Sequence, residues 1–332
     1  GLLGACEGGN INAIKMMIEK GANKWDWGLS GACKGGNMEI VKMMIEKGAD
    51  NWDDGLLEAC ESGYIEIVKL MIEKGANNFD DGISEACKNN HTYIVELIID
   101  KCDECDEYFD KCLNYAFKNE NVEIANMIID RNINDIDWLE FLPNACKSKN
   151  IKIIELMIEK GFDDFNSCLY LACKNKNIEI TKLMIEKGAN NLNEGFVEGC
   201  INGNIEIVKL MIEKGVNNLN LGLYHACING HIEIIKMMIE KGANNWNDGL
   251  FGACNNGNME IVEMIIEKGA NNWNKGLFGA CSYGHMDIIN LMIEKGANNW
   301  NGGLYYACKS NHKNAINLMI EKGANNCKYC GG

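Results

Sequence analysis

The feature that most constrains this chain is a phrase that it repeats at a regular interval. The tetrapeptide Ile-Glu-Lys-Gly begins at residues 18, 45, 72, 158, 185, 212, 239, 266, 293 and 320, an interval of 27 wherever the pattern is regular. Counted from the residue before a recurring leucine, twelve units begin at 1, 28, 55, 82, 112, 141, 168, 195, 222, 249, 276 and 303. The units at 82 and 112 carry three and two extra residues. A unit this short cannot bury an apolar face alone, so consecutive units must cover one another in a stack.

Each unit predicts two helices. In the unit at 249, the segment "GLFGACNNG" places its second, fifth and sixth residues, Leu250, Ala253 and Cys254, on one face of a short first helix. Alanine fills the fifth position in nearly every unit, which indicates that another helix presses closely there. The segment "MEIVEMIIEKG" is apolar around most of its circumference, as expected of a second helix that neighbours cover on both sides. Gly269 is the expected left-handed cap at its end.

A loop, "ANNWND", is expected to close each unit. Its aromatic position recurs with the period of the units and predicts a structural ladder along one side of the stack, formed by Trp25, Trp52, Phe79, Trp246, Trp273 and Trp300. Phe165, Leu192 and Leu219 hold the same position. We interpret the ladder as packing that seals the loop side of the core, and a stripe on which a ligand stacks is the alternative.

These residues resemble the ankyrin repeat. The pattern "GLxxACxxGNxEIVKxMIEKGAN" is similar to that family's consensus from its Leu-His-x-Ala-Ala segment to its terminal Gly-Ala-Asp. The resemblance implies an all-α, ankyrin-type solenoid of twelve helix-turn-helix repeats. We expect one solenoid over residues 1–329, irregular over 82–140, with a C-terminal tail at 330–332.

The chain departs from the family in two ways. Ankyrin repeats are usually about 33 residues long, and the missing residues fall where the family builds projecting β-hairpins, so we expect these to be truncated to tight loops. The family's Thr-Pro-Leu-His start is replaced by Gly-Leu. The repeats, rich in Asn, Ile and Lys, also resemble ankyrin proteins of giant amoeba-infecting viruses. That resemblance implies action in the host cytoplasm, or a place in the virion.

Composition excludes several functions. The net charge is −15, with 47 acidic against 32 basic residues and the lysines evenly spread, which argues against nucleic-acid binding. No apolar run reaches the length of about 20 residues that a membrane-spanning helix needs, so we expect no membrane span.

Eleven of the 17 cysteines occupy the sixth position of a unit. Stacked helices lie about 8–10 Å apart, too far for disulfides between these positions, so we expect buried thiols in a reducing compartment.

No catalytic constellation can be assembled, so we expect neither an enzyme nor a cofactor. The histidines at position 10 are expected turn residues: His91, His231, His285 and His312. Cys102 and Cys105 form a CxxC near Cys112, for which a zinc site and an acidic solvated bulge are the alternatives. We prefer the bulge and predict no metal. A second CxxC, Cys327 and Cys330, lies too many repeats away to share a metal with the first.

The first helices offer a surface for a partner protein, because the positions away from their buried face vary and become aromatic in the second half of the chain. The candidate partner-binding residues are Tyr170, Tyr224, His225, Phe251, Phe278, Tyr283, Tyr305 and Tyr306. Aromatic side chains are favoured anchors in protein interfaces, although those at position 3 could instead fill the space of the missing hairpins. We therefore predict a scaffold that binds an unidentified protein through the first-helix groove. The alternative is a self-assembling component of a filament, fibre or virion, stacked head to tail through terminal repeats that lack polar caps.

Overall fold

The structure, a computed structural model, describes residues 1–101, 106–131, 136–148 and 150–325. Within these ranges it contains 24 helices and no β-strand. The chain divides into two compact units, Gly1–Asp163 and Asp164–Gly332. Each unit contains six pairs of helices, which confirms the all-α architecture of twelve repeats. The single solenoid over residues 1–329 stays a prediction, and the expected tail at 330–332 lies outside the described residues.

In each pair the odd-numbered helix is the first helix and the even-numbered helix the second. The helices of unit 1 are α1 Leu2–Glu7, α2 Ile11–Glu19, α3 Trp25–Gly35, α4 Met38–Glu46, α5 Trp52–Ser62, α6 Ile65–Lys74, α7 Phe79–Lys88, α8 Thr92–Ile99, α9 Asp106–Lys118, α10 Val122–Arg131, α11 Trp138–Lys147 and α12 Ile151–Glu159. Those of unit 2 are α13 Phe165–Lys174, α14 Ile178–Glu186, α15 Leu192–Asn202, α16 Ile205–Glu213, α17 Leu219–Asn229, α18 Ile232–Glu240, α19 Trp246–Asn256, α20 Met259–Glu267, α21 Trp273–Tyr283, α22 Met286–Lys295, α23 Trp300–Lys309 and α24 Lys313–Glu321.

In ten of the twelve repeats the first helix begins three residues earlier than the sequence pattern indicated. Trp246, expected in a loop, is the first residue of α19. The reason is the preceding Asn245, whose side-chain Oδ1 accepts a hydrogen bond from the backbone N–H of Asp248 at 3.4 Å and so caps the helix. Only the five residues "KGANN" remain between α20 and α21, which confirms that the hairpins are reduced to tight loops.

The aromatic ladder therefore stands at the beginnings of helices and not within loops. Every member of the predicted ladder is half-buried: Trp25, Trp52, Phe79, Trp246, Trp273 and Trp300. The indole of Trp246 passes 3.9 Å from the place where a β-carbon would stand on Gly269, so the ring lies over the end of α20. The choice between packing and ligand stacking stays open, although this contact agrees with packing.

The core follows the sequence pattern closely. Leu250, Ala253 and Cys254 are fully buried on one face of α19, and Ile261 and Val262 of α20 are fully buried against them. Burying the leucine, isoleucine and valine side chains stabilises the fold by about 1.5–3 kcal/mol each. The small residue at position 5 has the predicted cause in unit 2. A β-carbon on Gly199 would stand 3.0 Å from the Val208 side chain of the paired second helix.

Consecutive repeats are also joined by a row of side-chain amides that the sequence pattern did not reveal. The Oδ1 of Asn274, the second residue of α21, accepts backbone hydrogen bonds at 2.8 Å from the N–H groups of both Asn298 and Asn299 in the next loop. The same pair of bonds is made by Asp26, Asp53, Asn166, Asn220 and Asn247. These bonds satisfy loop N–H groups where the usual hairpin is missing.

A histidine or an asparagine directly precedes many of the second helices, in the turn where the sequence pattern predicted it. Asn258 caps α20, whereas His231 makes no such cap at the start of α18. Instead the His231 Nε2–H donates to the carbonyl oxygen of Ile201 in the preceding first helix, at 2.8 Å. His91 and His285 make the equivalent bond at 3.0 and 3.1 Å. The histidine position therefore carries a bond between repeats.

Candidate functional site

Four of the predicted aromatic residues come together in unit 2. Tyr224, Phe251 and Phe278 are each the sixth residue of a first helix, in α17, α19 and α21, and Tyr306 lies in α23. Their rings line a groove of about 740 Å³. We call it the aromatic groove, and it is lined by Asn218, Asn220, Leu221, Tyr224, Asn245, Asp248, Phe251, Asn272, Lys275, Phe278 and Tyr306.

The four rings form two stacked pairs. The ring centroids of Tyr224 and Phe251 are 6.4 Å apart with 13° between their planes. Those of Phe278 and Tyr306 are 5.3 Å apart with 24° between planes. All four side chains are half-buried, so each keeps part of its surface accessible. Rigid, partly exposed aromatic rings of this kind can anchor a partner at a low cost in side-chain entropy.

Close approach of the first helices sets the rings side by side. A β-carbon on Gly279 of α21 would stand 2.5 Å from the carbonyl oxygen of Phe251, and one on Gly252 would stand 3.0 Å from that of Tyr224. Larger side chains cannot occupy these two positions unless the helices move apart. The glycines thus fix the spacing of α17, α19 and α21 on the groove side.

The polar side chains of the groove lie at the beginnings of the same helices. Asp248 and Lys275, the third residues of α19 and α21, form an ion pair. Asn218, Asn245 and Asn272 are the N-caps of α17, α19 and α21. The groove therefore combines apolar rings with amides, one ion pair and three helix N-termini, where partial positive charge accumulates.

The other four predicted residues do not line this groove. Tyr305 is 37% exposed and meets Tyr306 edge to face at 5.2 Å, and Tyr283 is 58% exposed and stacks on His285 at 6.2 Å. Lys174 lies 5.7 Å over the Tyr170 ring. His225 packs edge to face on Tyr224, and burial lowers the pKa of its imidazole, opposed by the Glu198 carboxylate. Their predicted role in binding a partner stays a prediction.

Sequence reasoning missed Leu221, Asp248, Lys275 and the N-cap asparagines. It placed them in a loop because it began the first helices too late. A helix extended back to the tryptophan position brings Lys275 three residues before Phe278, and residues three apart lie on the same side of a helix. The signal was the asparagine directly before Trp246 and Trp273, since asparagine is a preferred N-cap residue.

Unit 1 presents charged residues at the tenth position of its first helix α3 and at the seventh and tenth positions of α5 and α7. The Lys34 ammonium lies 3.2 Å from the Glu58 carboxylate and 3.5 Å from that of Glu61. The hydrogen bond with Glu58 is the main reason that the pKa of Lys34 is raised. Lys88 and Glu85 form a further pair at 2.9 Å. The aromatic lining is thus a property of unit 2.

The cysteines at position 6 are poor candidates for chemistry. Burial raises the pKa of the Cys60 and Cys200 thiols to about 12, which suppresses the reactive thiolate. The buried thiols agree with the prediction from spacing at Cys6, Cys33, Cys60, Cys87, Cys173, Cys200, Cys227, Cys254 and Cys281. The prediction is wrong for Cys308, which is disulfide-bonded. The distance between neighbouring repeats excludes a disulfide only between two cysteines that both hold position 6, so it did not exclude a bond from Cys308 to a cysteine elsewhere.

The structure offers no metal cluster in the part of the chain that it describes. No group of three or more His, Cys, Asp or Glu side chains is placed there to hold an ion. Cys102, Cys105, Cys327 and Cys330 lie outside the described residues, whereas Cys112 is buried in α9. None of the described helices is both long and apolar enough to cross a membrane.

Comparisons with known proteins bear on the repeats. A family model described as ankyrin repeats in three copies matches residues 2–82, 56–138 and 250–329. Two further ankyrin repeat models match residues 218–245 and 164–194. None of the curated proteins matches the chain. Among solved structures, the human ASB11 ankyrin repeat domain is 24% identical, with a TM-score of 0.42, and the match covers 49% of this chain and 84% of that one.

Proposed function

Because the chain belongs to the ankyrin repeat family, whose repeats generally mediate protein–protein interaction, we propose that it is a non-enzymatic scaffold that binds a partner protein in the aromatic groove. The observation that carries this proposal is the pair of ring stacks, Tyr224 with Phe251 and Phe278 with Tyr306, held half-exposed on adjacent first helices. A segment with apolar side chains would bury surface against the rings. The Asp248–Lys275 pair and the amides would orient it by hydrogen bonds.

Rigidity supports the groove over the other aromatic positions. Gly252 and Gly279 hold the three helices close, and each helix begins directly after an asparagine at its N-cap, so the lining is formed before a partner arrives. A preformed surface loses little conformational entropy on binding. Tyr283, in contrast, is 58% exposed and stacks on the His285 ring outside the groove.

The test compares capture of a partner by the unaltered chain and by three variants. Proteins retained from a host-cell lysate by the unaltered chain are identified, and the binding constant of each purified partner is measured. Phe251→Ala and Tyr306→Ala should each weaken binding by about 1–3 kcal/mol, as expected for aromatic anchors. Tyr283→Ala is the matched control, since it removes an exposed aromatic outside the groove.

Unchanged binding by both groove variants would exclude the aromatic groove as the binding site. Loss of binding in Tyr283→Ala alone would move the site to the other end of α21. Circular dichroism of each variant checks that the helices are retained.

We also propose, from the composition of the repeats alone, that the protein acts in the cytoplasm of a virus-infected host. Antibody detection in infected amoebae and in purified virions tests this, and signal confined to virions would favour a structural role. Stacking through terminal repeats, the alternative predicted from the sequence, stays a prediction.

A further inference from the structure

Unit 1 exposes a tryptophan near the N-terminus of one of its first helices. Trp27, the third residue of α3, is 64% exposed. Both neighbouring first helices, α1 and α5, are packed against α3, so its exposure does not arise from a missing repeat. Trp27 holds the helix position that Leu221, Asp248 and Lys275 hold in the aromatic groove. The indole is thus presented at the edge that forms the groove in unit 2.

Carboxylates follow Trp27 along that edge. Asp54 and Asp81 are the third residues of α5 and α7, and both are exposed. Their side chains accept hydrogen bonds from the side chains of the N-cap residues Asn51 and Asn78, at 2.5 and 2.9 Å. We call Trp27, Asp54 and Asp81 the Trp27 row, in which one apolar anchor is followed by two negative charges.

The aromatic groove complements this row. Its rings can cover an indole, and Lys275, which pairs with Asp248, keeps further N–H donors for a carboxylate. The N-termini of α17, α19 and α21 add partial positive charge at the same place. Unit 1 holds 31 acidic and 17 basic residues, whereas unit 2 holds 16 and 15. Electrostatic repulsion therefore disfavours contact between the acidic units 1 of two copies. It does not disfavour contact between unit 1 of one copy and the near-neutral unit 2 of another.

We infer that the occupant of the aromatic groove is a second copy of this chain, which inserts Trp27 between the rings and sets Asp54 or Asp81 beside Lys275. The inference rests on the proposed protein-binding role of the groove and names its partner. The two surfaces differ, so the contact is heterologous, and each copy carries both halves of it. It does not involve the end faces of the terminal repeats.

Sedimentation analysis of the purified chain over concentrations from roughly 1 µM to 1 mM tests the inference, since protein contacts of moderate strength dissociate in this range. The mean mass should rise above the 36.9 kDa of one chain with concentration. Trp27→Ala and Phe251→Ala should each weaken association about thirtyfold, the loss typical of a central anchor. Tyr93→Ala, which removes a side chain that is 74% exposed on α8, should associate like the unaltered chain.

Mixing the two defective variants gives the decisive result. Trp27→Ala keeps an intact groove and Phe251→Ala keeps an intact indole, so an equimolar mixture should form a 1:1 complex that neither variant forms alone. Tyr306→Ala replaces Phe251→Ala if the latter loses helix content. A monomer at every concentration, or association unaffected by Trp27→Ala, overturns the inference. Capture of another protein by the groove would still stand in that case, so the two proposals fail separately.

Discussion

At the scale of single residues, asparagine links one repeat to the next through its side-chain carbonyl. In the row of amides, one Oδ1 accepts two consecutive backbone N–H groups, as Asn274 does for Asn298 and Asn299. In unit 1 an aspartate makes the equivalent bonds, since the Oδ1 of Asp53 accepts the backbone N–H groups of Asn77 and Asn78 at 2.8 and 2.9 Å. What the position requires is therefore a short side chain that ends in an acceptor.

Replacing Asn274 by alanine should lower the free energy of unfolding by about 1 kcal/mol, because two loop N–H groups then rely on water alone. Asn274→Asp is the matched control and should change it by less than about 0.5 kcal/mol, since it keeps the acceptor near a helix N-terminus. Urea denaturation of the three proteins measures the difference. Equal destabilisation by both changes would show that the amide N–H matters and the acceptor does not.

At the scale of helices and turns, the bend between the first and second helix depends on contact with the next repeat. Gly203 ends α15 with φ +73°, and a β-carbon there would stand 2.6 Å from the ring of His231. Gly215, which follows the second helix α16, has φ +101° with open space around it. The two glycines share a left-handed backbone but differ in what covers them.

This difference predicts unequal effects of alanine. Gly215→Ala should lower the free energy of unfolding by roughly 1–2 kcal/mol, from backbone strain alone. Gly203→Ala should cost about 1–3 kcal/mol more, because the methyl group also displaces the imidazole and its bond to Ile201. Thermal and urea unfolding measure both, and Gly203→Ala combined with His231→Ala should recover part of the extra loss. Equal losses in the free energy of unfolding for the two single changes would mean that the His231 ring moves aside without an energetic penalty.

The elements also show what the sequence could and could not predict. The regular period was sufficient to predict twelve helix pairs and the buried face of Leu250, Ala253 and Cys254. It also identified the aromatic positions 224, 251 and 278 as equivalent. The beginnings of the first helices were misplaced because hydrophobic periodicity does not register a capping asparagine. Asp248 and Lys275 were missed for that reason. Stacking of Phe278 on Tyr306, which belong to adjacent repeats, depends on helix spacing that only the packed structure provides.

At the scale of the whole molecule, charge is divided unevenly between the two compact units. Nearly all of the net charge of −15 belongs to Gly1–Asp163, with 31 acidic against 17 basic residues, and Asp164–Gly332 is close to neutral with 16 against 15. Like charges in one compact body repel one another, and salt screens that repulsion.

Raising sodium chloride from about 10 mM to about 500 mM should therefore stabilise unit 1 by roughly 0.5–1 kcal/mol and leave unit 2 nearly unchanged. Hydrogen exchange followed by mass spectrometry reports both units in one sample, so unit 2 serves as the internal control. Peptides from α3–α6 should exchange more slowly in salt, and peptides from α17–α20 should not. A uniform response would assign the effect to hydration and not to charge.

The bonds between repeats recur at fixed separations in sequence: 24 and 25 residues for the row of amides, and 30 for the histidines. Where the period is regular, excision or duplication of the codons for one whole repeat would leave every such donor facing an equivalent acceptor. Unequal recombination between copies of the gene would then yield shorter or longer products that still fold. The number of repeats is accordingly open to rapid change during evolution, while the content of each repeat is held nearly constant.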